Sequence, residues 1–231
     1  MPKKSKGTGH RQLHVNVKTA KKRKSSSTKW LARQLNDPFV QLAKKDGYRS
    51  RSAYKLLEIN EKFRILRPNI VVVDLGAAPG GWSQVAAQKA KNAKIISIDL
   101  LDMEPIPGVT ILKQDFMDDN AMELLENELK GKKVNLVLSD MAAPACGHTQ
   151  TDHLRIMALC DAALDFAINN LEKGGHFVAK MLKGGTEHEI LNILKQNFKT
   201  IKHFKPESSR KDSAEVFLVA MGYTSRHHLT T

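Results

Sequence analysis

The stretch Val71-Val72-Val73-Asp74-Leu75-Gly76-Ala77-Ala78-Pro79-Gly80-Gly81-Trp82 decides the fold. An apolar run from Ile70 to Val73 ends in an acid, Asp74. A turn of Gly, Ala and Pro follows, and a helix-like segment opens at Gly81. A parallel strand covered on both faces reads as an uninterrupted apolar run. Small residues directly after it let backbone approach a ligand closely. The helix that follows points its first amides at whatever sits there. Together these make a nucleotide-type cradle at the carboxyl end of a first strand; the same residues would also serve as a purely structural strand-to-helix turn.

The cradle lacks the grips of two better-known motifs. A P-loop ends in Gly-Lys-Ser/Thr to hold phosphates and magnesium, and Trp82-Ser83-Gln84 has no such lysine. A dinucleotide site uses Gly-x-Gly-x-x-Gly for a pyrophosphate, whereas the glycines here are Gly76, Gly80 and Gly81. A cradle without a phosphate grip suits a nucleoside ligand such as S-adenosylmethionine.

Outward from this stretch, apolar runs alternate with amphipathic segments. Strands are expected at 70–75, 94–99, 109–114, 134–139, 175–181, 198–204 and 214–222, with helices over 81–91, 118–130, 152–172 and 186–197. This alternation predicts an α/β fold, a doubly wound, Rossmann-like, mostly parallel seven-stranded sheet. The Pro206–Ser213 link is too short for a helical crossover, so the last strand is expected to run antiparallel.

Ligands of such sheets bind outside the carboxyl ends of the strands. Asp99 ends the second strand and can accept from two ribose hydroxyls. Asp115 ends the third and can accept from an adenine amino group. Asp140 ends the fourth, in Leu138-Ser139-Asp140-Met141-Ala142-Ala143-Pro144. One acid at a strand end is often a helix cap; three at equivalent positions point to a site. Lys180 lies in the otherwise apolar run Phe177-Val178-Ala179-Lys180-Met181. Lysine is almost never buried without a partner, so Lys180 is expected at the same rim as Asp140. Desolvation and a second cation lower a lysine's pKa and fit it to act as a base; a lysine snorkelling at a strand end is the plainer alternative. Glu215 opens the last strand, whose antiparallel course brings its start to the carboxyl ends of the others.

Before the cradle, Asp37-Pro38 reads as an N-cap with proline at the first helical position. In Tyr48-Arg49-Ser50-Arg51-Ser52-Ala53-Tyr54-Lys55, Ser52 is expected to cap a helix with the apolar face Leu56, Ile59, Phe63. Arg49, Arg51 and Lys55 crowd its start, where cations oppose the macrodipole. They read either as phosphate contacts or site residues, or as an ordinary solvated basic turn.

The net charge of +13 is unevenly placed. Residues 1–36 carry 11 Lys/Arg and no acid, and the 195–231 segment has 7 against 3, while 68–194 has 11 against 17. A basic arm and two basic flanks around an acidic centre suit a polyanionic partner; the arm also reads as a solvated tail with no partner. Residues 1–28 are too poor in apolar side chains to order alone, so order is expected to begin near Trp30. The expected division is a basic arm at 1–28, a catalytic domain at 29–225 with N-terminal helices at 29–67, and a tail at 226–231. No apolar run approaches the ~20 residues of a membrane span. Cys146 and Cys160 form no metal or disulfide pattern, which suits a reduced, cytoplasmic protein.

With these residues assembled, the chain resembles the FtsJ/RrmJ family of S-adenosylmethionine-dependent RNA 2′-O-ribose methyltransferases, from about Lys29 to Gly222. The motifs that carry the resemblance are Asp74–Trp82, Gly47-Tyr48-Arg49-Ser50-Arg51, Ser139-Asp140-Met141, and Ser208-Ser209-Arg210 ahead of Glu215. It implies a class I methyltransferase fold and a Lys-Asp-Lys-Glu tetrad at Lys55, Asp140, Lys180 and Glu215. It also implies methyl-donor contacts at Gly80, Trp82, Asp99, Asp115 and Asp140, and no metal. The implied substrate is a uridine of 23S ribosomal RNA in the large ribosomal subunit, bound by a monomer with Arg49, Arg51, Arg210 and Lys211 on phosphates. The chain departs from the family pattern after Asp140, where Pro144 falls one place late and Cys146 stands where serine is common. Methylation of another RNA such as tRNA, an RNA-binding or ribosome-assembly protein keeping only the fold, and a nicotinamide-dependent oxidoreductase are the rival readings.

Overall fold

Two facing sets of apolar residues on one sheet position everything else in this protein. The computed structural model describes residues 25–144, 146–182, 188–210 and 212–224. The strands are β1 (Val71–Leu75), β2 (Lys94–Asp99), β3 (Val109–Lys113), β4 (Val134–Ser139), β5 (Leu171–Leu182), β6 (Phe198–Phe204) and β7 (Glu215–Tyr223). They lie in the order β3-β2-β1-β4-β5-β7-β6. Strands β3, β2, β1, β4 and β5 pair in parallel, and β7 runs antiparallel to both β5 and β6, as the short link between β6 and β7 requires. The order reverses between β1 and β4, and that switch point opens a crevice at the carboxyl ends.

The helices are α1 (Ser25–Leu35), α2 (Pro38–Asp46), α3 (Ser52–Phe63), α4 (Gly81–Lys89), α5 (Asn120–Leu129), α6 (Thr149–Asn170) and α7 (His188–Asn197). Successive strand residues face opposite sides, and the apolar strand residues sort accordingly. Val73, Ile96, Val137, Phe177, Ala179 and Leu218 pack against α5, α6 and α7. Val72, Ile95, Leu136, Val178, Phe217 and Val219 pack against α3 and α4 through Leu56, Ile59, Trp82 and Val85. Burying each such large side chain contributes roughly 1.5–3 kcal/mol over leaving it exposed.

Asp37 caps α2 as expected. Its carboxylate accepts from the Phe39 amide at 3.0 Å, Pro38 takes the first turn, and Gly47 ends the helix in the left-handed region at φ 78°. Ser52 does not cap α3: it is the first helical residue, Arg51 precedes it in αR geometry, and the Ser52 hydroxyl lies 2.6 Å from that of Ser50. Helix α1 begins at Ser25, ahead of the start expected near Trp30, and so takes in the last four residues of the expected arm, Ser25 to Thr28. The rest of the arm, 1–24, and the tail at 226–231 lie outside the described residues. Strand β5 begins at Leu171 rather than 175, because Leu171 is already extended (φ −64°, ψ 141°) and pairs with Val134. The register then shifts before Leu136 meets His176, with Gly174 at φ 89° supplying the irregular turn. No helix among the described residues is long and apolar enough to cross a membrane.

Candidate active site

The cradle turn closes on the loop after β4. Gly76 has φ 73°, and a Cβ there would strike the Met141 side chain and come within 2.8 Å of its Cα. Only glycine lets the β1 and β4 ends meet so closely. Beside this contact lies a cavity of about 310 Å³, lined by Gly76, Ala78, Asp99, Asp115, Phe116 and Asp140, among others. That volume and its mostly apolar walls match a small-molecule site, roughly 300–1,000 Å³.

Asp99 is fixed from both sides, with Oδ2 accepting from the Ala78 amide at 2.9 Å and Oδ1 from the Leu101 amide at 2.8 Å. Each oxygen keeps a second lone pair for a ligand hydroxyl. Asp115 accepts from the Met117 amide through Oδ1 at 3.0 Å. Gly80 sits at φ 105° before α4, whose first turn has no side-chain cap, so those amides are available to a ligand. The Trp82 ring is elsewhere. It is 2 % exposed, packs on Phe217 at 5.5 Å between centroids and donates its indole N–H to the Ser52 carbonyl at 2.9 Å. Neither Gly80 nor Trp82 is among the residues that line the cavity, so what Trp82 could offer a ligand reaching past its edge is its backbone.

Four charged residues meet at the edge of this cavity. Lys180 Nζ lies 2.7 Å from the Asp140 carbonyl oxygen and 3.1 Å from its Oδ1. Lys55 Nζ is 3.7 Å from that same Oδ1 and 2.8 Å from Glu215 Oε1. Burial pushes the Asp140 carboxyl up, but Lys180 and then Lys55 outweigh it and hold the group below the usual carboxylate range. The chain Lys180–Asp140–Lys55–Glu215 thus joins groups from β5, the β4 end, α3 and the start of β7. Lys55 Nζ also sits 5.3 Å from the Phe217 ring centroid, which walls the ammonium from below.

On the far side of Lys55 and Glu215 is a second hollow of about 230 Å³, lined by Gln34, Arg51, Ser52, Arg210 and Ser213 as well. Asp37 organises its arginines: Oδ2 accepts from Arg51 and lies 3.5 Å from Arg210 Nε. Arg51 also donates to the Ser208 carbonyl. Burial lowers the Arg51 pKa more than Asp37 raises it. Arg49 is turned away from this hollow; its guanidinium donates to the carbonyls of Glu104 at 2.5 Å and Pro105 at 2.8 Å. Lys211 lies outside the described residues.

Sequence reasoning passed over three contributors. Ser209 donates to Glu215 Oε1 at 2.9 Å. Glu58 accepts the Glu207 and Ser208 amides at 2.5 and 3.0 Å and so holds the loop that carries Ser209 and Arg210. Asp37 was legible only as a helix cap. The Ser208-Ser209-Arg210 run was the one available signal. Deeper in, Asp74 is fully buried, accepts from Ser83 Oγ at 2.6 Å and leaves Oδ1 without a partner. Burial pushes its pKa up to about 7, against the hydrogen bond from Ser83, which lowers it.

A nucleoside-sized cavity at the switch point of a doubly wound sheet, with a lysine–carboxylate chain at its edge, defines a group transferase that uses a bound donor. Residues 48–223 match the FtsJ-like methyltransferase family, and the chain belongs to that family. It is 55% identical over 220 residues to a ribosomal RNA large subunit methyltransferase E of Rickettsia bellii, covering 93% of this chain and 96% of that protein. It is 58% identical over 213 residues to the protein of that name from Novosphingobium aromaticivorans, covering 92% and 96%. Among solved structures, a Plasmodium falciparum protein provisionally described as a ribosomal RNA methyltransferase superposes with a TM-score of 0.70 at 34% identity, covering 78% of this chain and all of that one.

Proposed function

We propose that this protein transfers a methyl group from S-adenosylmethionine to a ribose 2′-hydroxyl of large-subunit ribosomal RNA, a uridine of 23S RNA. The observation that carries the reading is the Lys180–Asp140–Lys55–Glu215 chain between the two hollows. The family and the names of its relatives support the substrate class. The bound donor supplies an electrophilic methyl on a sulfonium. Asp99 would hold the donor's ribose hydroxyls, Asp115 and the apolar wall at Phe116 would hold its adenine, and the Gly80 and Trp82 backbone with Asp140 would bound the remainder.

Lys180 takes the hydroxyl proton. Once it has released a proton, the Lys180 amine has two N–H donors and one lone pair; Asp140 can take both donors, leaving the lone pair for the hydroxyl proton. As the oxygen–carbon bond forms and the sulfur–carbon bond breaks, the positive charge passes from sulfur to Lys180. Asp140 and Glu215 balance Lys55 and the charge arriving on Lys180. Lys55 and Glu215 orient the acceptor ribose, because a weak nucleophile gains most from alignment. Arg51 and Arg210 at the second hollow, with exposed Lys199 and Lys202 on β6 and Lys205 just after it, form the phosphate-facing surface.

The test is incubation with a labelled methyl donor and, in separate arms, free ribosomal RNA, intact large subunits and tRNA, followed by mapping of the label. Label on a ribose of large-subunit RNA is expected. Label on a base, on tRNA alone or nowhere would overturn the reading.

A further inference from the structure

Arg49 sits where a sequence reading places a phosphate contact, yet its side chain is spent on backbone. Nη1 donates to the Glu104 carbonyl at 2.5 Å and lies 3.4 Å from that of Pro79, while Nη2 donates to Pro105 at 2.8 Å. Pro79 belongs to the cradle turn after β1. Glu104 and Pro105 belong to the loop after β2, the loop that begins with Asp99, Leu100 and Leu101 of the donor cavity. One guanidinium therefore ties together both lips of that cavity. Gly80 completes the fit: a Cβ there would come within 2.8 Å of Ile106 Cδ1 and 3.2 Å of Arg49 Nη1.

The backbone of Arg49 is anchored as well. Its amide donates to Gln84 Oε1 of α4 at 2.8 Å, and Gln84 Nε2 donates to the Gly47 carbonyl at 3.2 Å. The segment that leads into α3, and hence to Lys55, is thus fastened to the donor side. We infer that Arg49 is a donor-site positioning residue, a latch that holds the 100–108 loop against the cradle turn, and not an RNA contact. The donor's identity rests on the reading above; the latch itself does not. A planar fork with several donors can bind two successive carbonyls and reach a third, whereas a lysine ammonium keeps the charge but not the fork. Charge and geometry are therefore separable by one substitution.

The test compares wild type, Arg49→Lys and Arg49→Ala, with thermal melting to establish folding. Hydrogen exchange is read in the ligand-free protein at the amides of Leu101 and Val109, which donate to Asp99 Oδ1 and the Ile106 carbonyl. Losing two carbonyl contacts predicts exchange there faster by up to about 30-fold, and S-adenosylmethionine binding weaker by up to about 30-fold, in Arg49→Lys. RNA affinity and its salt slope should stay within about twofold. Gln84→Ala, which loosens the same segment from its other end, should shift exchange and donor binding in the same direction by less. Unchanged exchange or unchanged donor affinity in Arg49→Lys overturns the latch. So does loss of RNA affinity confined to Arg49→Ala, which marks a phosphate contact. If wild type binds no S-adenosylmethionine, the proposed function fails, and the exchange rates alone decide the latch.

Discussion

Lys180 Nζ and Asp140 meet through two atoms of the aspartate, the backbone carbonyl at 2.7 Å and Oδ1 at 3.1 Å. Main chain and side chain of one residue thus both hold the amine at the end of β4. Lys180→Ala is expected to fold, bind donor within a few-fold of wild type and lose about 100- to 10,000-fold in kcat. Lys180→Arg should be similarly inactive, since guanidinium has no lone pair to take a proton. Near-normal kcat in either variant refutes the base assignment.

Ser209 reaches Glu215 without touching either hollow's centre. Ser209→Ala removes one hydrogen bond to a carboxylate that also holds Lys55. Such a bond is worth about 1–2 kcal/mol, so kcat should fall by about 5- to 30-fold with donor affinity unchanged. A larger change in donor affinity than in kcat would show that Ser209 supports the donor side instead.

Asp37 has two tasks that substitutions can separate. Asn keeps the cap of α2 but removes the anion between Arg51 and Arg210, and Ala removes both. Breaking a largely buried pair from one side costs about 3 kcal/mol, and losing the cap adds about 1 kcal/mol more. Urea unfolding of the two variants should therefore order them wild type, Asn, Ala. Equal stability for Asn and Ala would remove the cap from the account.

Asp74 gives stability a pH slope. Its folded pKa is raised to about 7 from an ordinary value near 4. Between those values the folded protein holds a proton that the unfolded chain has released, so stability falls as pH rises, by up to about 1.4 kcal/mol per pH unit from this group. The contribution is complete below about pH 4 and gone above about pH 7. Asp140 works in the opposite sense, losing its contribution only as pH drops through its depressed pKa, below the ordinary range. The difference in unfolding free energy between wild type and Asp74→Asn should therefore slope across pH 4–7 and be flat above. A flat difference throughout contradicts the raised pKa.

The segment 1–24 contains nine of the Lys/Arg residues and no acid. Because α1 starts at Ser25, a cut after residue 24 leaves every described helix whole. Its removal should leave donor binding unchanged and reduce the slope of log affinity for RNA against log salt by up to about 6 if every cation meets a phosphate of single-stranded RNA. An unchanged slope assigns the arm no part in binding.

What the sequence shows well is whatever depends on period and on strand ends. Short β-branched runs such as Val71–Val73 bounded by turn residues read as strands covered on both faces, and the acids Asp99, Asp115 and Asp140 fall at strand ends by counting alone. Positions whose meaning depends on packing between distant elements were not legible. Trp82 looks like a pocket residue until α4 is laid on α3, which takes its ring into the core beside Phe217. Arg49 looks like a free cation until the loop near Glu104, 55 residues on, comes beneath it. Ser52 has the chemistry of a cap, but Arg51 already holds helical dihedrals, so the helix starts one residue too early for it. Asp37 was visible as a cap, yet its bond to Arg210 spans 173 residues and leaves no local trace.

Strand β7 lies between β5 and β6 although it is the last of the three in the chain. Synthesis therefore delivers the cradle, the acids of the donor cavity, Asp140 and Lys180 well before Glu215, Ser209 and Arg210. A shortened product ending ahead of residue 208 can contain every donor-side residue and still lack Ser209, Arg210 and Glu215. The proposed Lys180–Asp140–Lys55–Glu215 chain is therefore completed last, when β7 enters between β5 and β6 and Glu215 reaches Lys55.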